Sequence, residues 1–356
     1  MSQRPFGPDR PPRSVCIVMM SALGDAVHVL PVVTALRRAW PTTRITWVIQ
    51  PVPHRLVEDH PAVDDFVVFR RRRGRRAWRA FADVRRELRA RGPFDLLLAL
   101  QVYAKAGLIT ALAPARVKLG FDRRRARDLN WLFTNARIPA HEPQHVQDQY
   151  FEFVRWLGID PEPVEWGLTL SDAERREQAA FYGRLDQPAL AVVVGTSKPE
   201  KNWTAEGYAA VLREAERRHG LRPVLVGGPS AAERAVAERI LELTDGRPVD
   251  ALGDDVRRLV WLLEGSALVL SPDTGPLHIA HALGRPAVGL FGWSNPKRHR
   301  PYRGDPDLVV DGYARHPGED YPVSLERRDG MRRITPERVL RAIDIAVERY
   351  VSGPGD

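Results

Sequence analysis

Short apolar runs alternate with longer stretches of mixed polarity through most of this chain. Runs at 14–20, 45–49, 67–69, 95–100 and 117–121 are expected as strands, and 27–40, 77–91, 101–113 and 144–157 as helices. A turn-rich segment with three prolines, 158–165, reads as a linker, and a helix is expected over 172–184. The rhythm then restarts, with strands at 189–194, 223–226, 249–252, 266–270 and 286–292. Helices at 204–219, 233–243 and 256–263, and a short one closed by Gly284, lie between or after them. The runs are nearly continuous in apolar residues, as in parallel strands buried on both faces. Strands alternating with helices at this spacing predict an α/β fold of doubly wound parallel sheets. A length of 356 residues fits two such domains. Ligands of these sheets bind beyond the carboxyl ends of the strands, so a cleft between the two domains is the expected site.

The stretch from Ser271 to His278 (Ser-Pro-Asp-Thr-Gly-Pro-Leu-His) organises the second half. It joins a strand to a short helix at a polar turn. Asp273 stands at the strand's end, Thr274 or Asp273 can cap the helix, and Pro276 suits its first turn. The remaining N–H groups and the helix dipole favour a phosphate there. A plain capped helix start fits the same residues. Thr196 and Ser197 offer hydroxyls after an earlier strand, and Lys201 a point charge. Together these loops suit a diphosphate. The Gly227-Gly228 turn would admit a flat ring close to the backbone.

In the first half, Ser21-Ala22-Leu23-Gly24-Asp25 follows the first strand without the glycine spacing of a dinucleotide site. Asp25 reads either as a helix cap or as a general base at a sheet edge. Two arginine clusters, Arg70–Arg73 with Arg75 and Arg76, and Arg123–Arg125 with Arg127, read either as solvated surface or as an anion-binding rim.

Charge and composition narrow the partners. The net charge of +9 points to an acidic partner, whether nucleic acid, an anionic membrane or a phosphorylated substrate. Aromatics are not interleaved with the arginines as in a single-strand stacking platform. One cysteine, Cys16, excludes an intrachain disulfide framework and a cysteine-rich metal site. His278 and His281 share a helix face without an evident third zinc ligand. Residues 1–13 carry no apolar core of a signal peptide and are expected as a disordered lead-in. No apolar run approaches transmembrane length, so any membrane contact is expected to be peripheral.

Residues Ser21 to Pro31 (Ser-Ala-Leu-Gly-Asp-Ala-Val-His-Val-Leu-Pro) resemble the N-terminal motif of the ADP-heptose:lipopolysaccharide heptosyltransferases, glycosyltransferase family 9, especially their heptosyltransferase I branch. Lys201-Asn202-Trp203 is similar to that family's Lys-x-Trp element. The stretch Asp273 to Ala280, with Ala282 to Pro286 and Leu290 to Gly292, resembles its C-terminal motif. The motifs occur in matching order across residues 14–345. Trp293-Ser294-Asn295-Pro296 stands where members often carry Pro-Thr-Asp-Pro.

The resemblance implies a GT-B type fold, with two Rossmann-like domains facing a cleft. Residues 14–165 would bind the acceptor and 166–333 the nucleotide sugar, with 334–356 holding a last helix, 336–350, that crosses back to the first domain. It implies inverting, metal-independent transfer of heptose from ADP-heptose to the Kdo/inner-core region of lipopolysaccharide, with no cofactor. Asp25 would be the base, and Lys201 would offset charge on the leaving ADP. Thr196, Ser197, Thr274, Gly275, Leu277 and His278 would hold the phosphates, and Asp273 the sugar. Arg70, Arg73, Arg123 and Arg124 would meet the acidic lipid A–Kdo acceptor. The implied place is the cytoplasm, peripheral on the inner face of the inner membrane, with no nucleic-acid partner. The alternatives are a transferase of the same fold with another donor or a protein acceptor, and a non-enzymatic basic protein binding nucleic acid or membrane.

Overall fold

The computed structural model describes residues 5–72, 74 and 77–351. Arg73, Arg75 and Arg76 lie outside them. The chain divides into two compact units, one up to Leu168 and one from Thr169.

The first unit runs β1 (Ser14–Val18), α1 (Leu23–Ala39), β2 (Arg44–Ile49), α2 (Pro51–Val57), β3 (Asp65–Val68), α3 (Ala77–Arg91), β4 (Phe94–Ala99), α4 (Ala104–Leu112), β5 (Ala115–Gly120), β6 (Ala136–Arg137) and α5 (Val146–Trp156). Its sheet is parallel, in the order β3-β2-β1-β4-β5-β6. The chain reverses direction across the sheet between β1 and β4. The loops after those two strands therefore flank the topological switch point, where open α/β sheets take ligands.

The second unit repeats this plan. It runs α6 (Asp172–Tyr182), β7 (Ala189–Val193), α7 (Ala205–His219), β8 (Arg222–Val226), α8 (Ala231–Leu243), β9 (Val249–Asp250), α9 (Val256–Gly265), β10 (Leu268–Pro272), α10 (Gly275–Ala282), β11 (Ala287–Phe291), α11 (Pro296–His299), β12 (Val309–Asp311) and α12 (Pro336–Ala346). The sheet order is β12-β11-β10-β7-β8-β9, again all parallel. Its switch point lies between β7 and β10. The α/β reading with two Rossmann-like sheets is thus met in both halves.

Central strands are buried end to end. Val15 to Val18, Leu190 to Val193 and Leu268 to Leu270 expose essentially nothing. This is why they read as continuous apolar runs rather than as alternating ones. The helices dock by one face. In α12, Val339, Ile343 and Ala346 enter the second unit's core beside Val288 and Leu290 of β11. The segment expected to cross back to the first domain thus has its α12 portion packed in the second unit. A π-helical turn, Val347–Val351, follows.

Four segments depart from the sequence reading. Of residues 1–13, expected to be disordered, 1–4 lie outside the described residues and 5–13 are held against the first unit. Phe6 is buried, the Trp40 indole N–H donates to the Gly7 carbonyl at 3.0 Å, and Thr43 Oγ1 donates to the Pro12 carbonyl at 2.6 Å. A buried indole N–H needs an acceptor, and the polar lead-in supplies it. Helix α2, which carries Pro51 and Pro53, has no counterpart among the expected elements. Both fall in the first turn, where a missing N–H costs little. Strands β6 and β12, two and three residues long, are too short to show a period.

Candidate active site

The switch point of the second unit gathers the charged residues. After β7 the chain passes Gly195 and Thr196 into a 3-10 turn, Pro199–Lys201. Asn202 Oδ1 accepts from the Thr196 backbone N–H at 2.9 Å, and the Thr196 hydroxyl lies 2.6 Å from the Lys198 carbonyl and 3.0 Å from Asn202 Oδ1. The Thr196 hydroxyl thus shapes its own loop, while Ser197 is exposed. Trp203 is buried, with its indole donating to the Ile334 carbonyl at 3.1 Å and its ring edge-on to Tyr208. The Lys-x-Trp spacing therefore anchors one end of the loop and leaves Lys201 to point elsewhere.

Lys201 points at Asp273. Its Nζ donates to Asp273 Oδ2 at 2.5 Å and to the Asp273 carbonyl at 3.2 Å. His278, one turn into α10, places Nε2 3.6 Å from Asp273 Oδ1. Burial pushes the Asp273 carboxyl pKa up, but the His278 hydrogen bond and the Lys201 ammonium act against it, and the group is held well below the usual carboxylate range. Asp273 is therefore ionised at neutral pH. Thr274 is the N-cap of α10 with extended backbone and no side-chain cap bond, and Gly275 and Pro276 open the helix. Leu277 is in the core, and its N–H donates to the Thr274 carbonyl.

Two further histidines border this cluster. Burial holds His299 and His281 down to about 4, and His281 Nε2 bonds the Tyr302 carbonyl at 2.8 Å. Both are neutral in the fold at pH 7. The unfolded chain accepts protons on them from about pH 6.5 downward, the native chain only near 4, so falling pH favours unfolding across that window. Between pH 7 and pH 5 each should cost about 2 kcal/mol of stability. Denaturant unfolding at the two pH values measures this, and His281→Gln should remove about half of the combined loss.

Sequence reasoning missed several residues here. Trp293 follows β11, and around its ring centroid lie Lys198 Nζ at 4.4 Å, Lys201 Nζ at 5.3 Å and the Arg328 guanidinium at 5.4 Å. A tryptophan just past a strand's carboxyl end was the available signal. Glu233, at the start of α8, accepts from the Gly228 N–H at 2.9 Å and from Ser230 Oγ at 2.6 Å. Its stem packs on Gly195, and its carboxylate lies against Gly227 and Gly228. A carboxylate thus occupies the space read as open for a flat ring.

In the first unit the switch point holds Asp25, the third residue of α1, half-buried, with Oδ2 accepting from the Ala22 N–H at 2.8 Å. The capping role read from the sequence is real. Gln101, just past β4, ties the two switch-point loops together: Oε1 accepts from the Met20 N–H at 3.3 Å and Nε2 donates to the Ser21 carbonyl at 2.6 Å. His28, one turn beyond Asp25, is buried with Nδ1 3.0 Å from Gln147 Oε1. Neither Gln101 nor Gln147 carried a sequence signal, because an amide has meaning only through its partners.

The arginines separate into different roles. Arg125 is a structural ion pair, bonded to Asp122 at 2.5 Å and to Glu152 at 2.7 Å. Arg124 is exposed and pairs with Glu142 at 2.9 Å, and Arg123 stacks on Trp131 at 4.4 Å. Arg70 is exposed at the end of β3. Beside it a cavity of about 450 Å³ is lined by Phe69, Phe81, Arg71, Arg72 and Lys105 among others. Among the described residues no group of three or more histidine, cysteine or acidic side chains is placed to hold a metal, and no helix is long and apolar enough to cross a membrane.

Comparison with known proteins agrees with this geometry. The model of glycosyltransferase family 9 (heptosyltransferase) matches residues 81–319. The lipopolysaccharide core heptosyltransferase OpsX of Haemophilus influenzae is 30% identical over 311 residues, 87% of each chain. Lipopolysaccharide heptosyltransferase 1 of Salmonella typhimurium is 28% identical, over 79% of this chain and 89% of its own. A family 9 glycosyltransferase from Veillonella parvula superposes with a TM-score of 0.80 at 22% identity, over 94% of this chain and 97% of its own. The E. coli heptosyltransferase WaaC with ADP gives 0.69 at 24% identity, over 95% and 99%. These superpositions support a GT-B type fold. With the family match covering most of the chain, and charged loops at the switch points where such folds take ligands, this protein is a glycosyltransferase and belongs to family 9, the heptosyltransferases.

Proposed function

We propose that this enzyme moves the heptose of ADP-heptose onto the Kdo/inner-core region of lipopolysaccharide, with inversion and without a metal ion. The observation that carries the donor side is the Lys201–Asp273–His278 cluster at the second switch point. Bond breaking at the sugar leaves an electron pair, and so a new negative charge, on the β-phosphate of ADP. Lys201 and the amino end of α10, Thr274 to His278, supply positive potential for that charge. Ser197 and the Thr196 loop line the same phosphates, and Asp273 accepts from sugar hydroxyls. Asp25 takes the proton of the acceptor hydroxyl as its oxygen attacks the anomeric carbon.

The acceptor is proposed to be an acidic lipid carrying Kdo. The exposed Arg70, Arg123 and Arg124, with Arg71, Arg72 and Lys105 around the cavity, favour anionic groups. The enzyme would then work in the cytoplasm, in peripheral contact with the inner membrane. The curated relatives named above are lipopolysaccharide heptosyltransferases, which supports this acceptor class.

Ligand-dependent thermal unfolding tests the donor. ADP-heptose at about a hundred times its Kd should raise Tm by about 5 °C, and UDP-sugars should not. Protection by a UDP-sugar but not by ADP-heptose would overturn the donor assignment.

A further inference from the structure

The surroundings of Trp293 go beyond the three motifs. Three cations, Lys198, Lys201 and Arg328, lie 4.4, 5.3 and 5.4 Å from its ring centroid. They come from separate parts of the second unit: the loop after β7 and the segment before α12. The packing that brings them together is specific. The Gly330 N–H donates to the Gly292 carbonyl at 2.8 Å, and a side chain on either glycine would overlap the other segment's backbone. This contact fixes Trp293, which follows Gly292, beside Arg328, which precedes Gly330 by two residues. Buried Asn295 reinforces it, with Nδ2 donating to the carbonyls of Pro322 and Val323 at 3.0 and 3.1 Å. The Tyr313 hydroxyl adds a bond to the Leu325 carbonyl.

Three like charges around one ring repel one another. The indole π-face offsets part of that cost, as do Asp273 at Lys201 and Glu326, 3.6 Å from Arg328. A polyvalent anion would offset more. Resting on the donor reading above, we infer that Trp293 is a positioning residue that assembles Lys198, Lys201 and Arg328 into a seat for the donor's diphosphate, with Lys198 and Arg328 as further phosphate ligands. The indole holds the two ammonium groups beside its ring, so that the charges are in place before the phosphates arrive.

The test uses the full-length enzyme, with calorimetric titration of ADP and of inorganic pyrophosphate, and steady-state kinetics with ADP-heptose. Trp293→Leu should weaken both ligands about tenfold and raise KM by a similar factor, with a smaller change in kcat. Trp293→Phe keeps a ring face and should recover most of the loss. Arg328→Gln, at an exposed side chain, should weaken ADP about threefold with Tm unchanged, and should flatten the dependence of log Kd on log salt. ADP affinity at the wild-type value in both Trp293→Leu and Arg328→Gln would overturn the inference, as would a phenylalanine variant no better than the leucine one. If the wild type binds pyrophosphate but not ADP, and the variants weaken pyrophosphate as stated, the seat stands and the ADP-heptose reading falls.

Discussion

Asp25→Asn should reduce turnover about a thousandfold while ADP affinity stays within about twofold of wild type. A positioned base contributes roughly 10²–10⁴ to such a transfer, because the acceptor hydroxyl must lose its proton as it attacks. The substitution suits this question. Asparagine keeps an oxygen able to accept from the Ala22 N–H, as Asp25 Oδ2 does at 2.8 Å, so the start of α1 survives. The basicity and the negative charge are removed while this bond is kept. Circular dichroism and Tm would confirm the fold, and single-turnover rates with lipid acceptor would report the chemistry. A variant retaining turnover within about threefold of wild type would remove Asp25 as the base.

Lys201→Met should lower kcat/KM about a hundredfold and destabilise the second unit by about 3 kcal/mol. The two effects have one cause. The ammonium contacts both the carboxylate and the carbonyl of Asp273, a residue only 7% exposed. Removing it leaves a buried anion facing His278 alone among its closest partners, and leaving one buried charge uncompensated costs more than the pair contributes. The double variant Lys201→Met with Asp273→Asn separates the roles. Stability should return to within about 1 kcal/mol of wild type, because neither buried charge remains. Activity should not return, because the leaving diphosphate still lacks its ammonium. Recovery of activity with stability would show that Lys201 serves the fold rather than the reaction.

At Lys201 and Asp273 one cluster combines structure with chemistry. Asp273 is held ionised against its own burial by the His278 hydrogen bond and the Lys201 ammonium, and this pairing fixes where that ammonium sits. In the proposed reaction the fixed charge needs no rearrangement as negative charge develops on the departing phosphate, which is the condition under which such groups are most effective.

The sequence by itself determined the α/β class, the repeat of the same plan in two halves, and the loops that hold Asp25, Lys201 and Asp273. These are local properties. A strand buried on both faces must be apolar throughout, a helix must show one apolar face, and a polar turn must end each strand. The ordered motifs then placed the family. Tertiary structure alone decided which loops become neighbours. Lys201 and Asp273 are 72 residues apart and meet because β7 lies beside β10 in the sheet. Arg125 reads as one more member of a basic run, yet Asp122 and Glu152 make it a half-buried strut. Phe6 and the Trp40 indole tether a lead-in whose composition suggested disorder, and the Gly292–Gly330 contact sets Arg328 against Trp293. Periodicity records what each segment buries. It does not record against which partner, and that choice is made only when both sheets close over their cores.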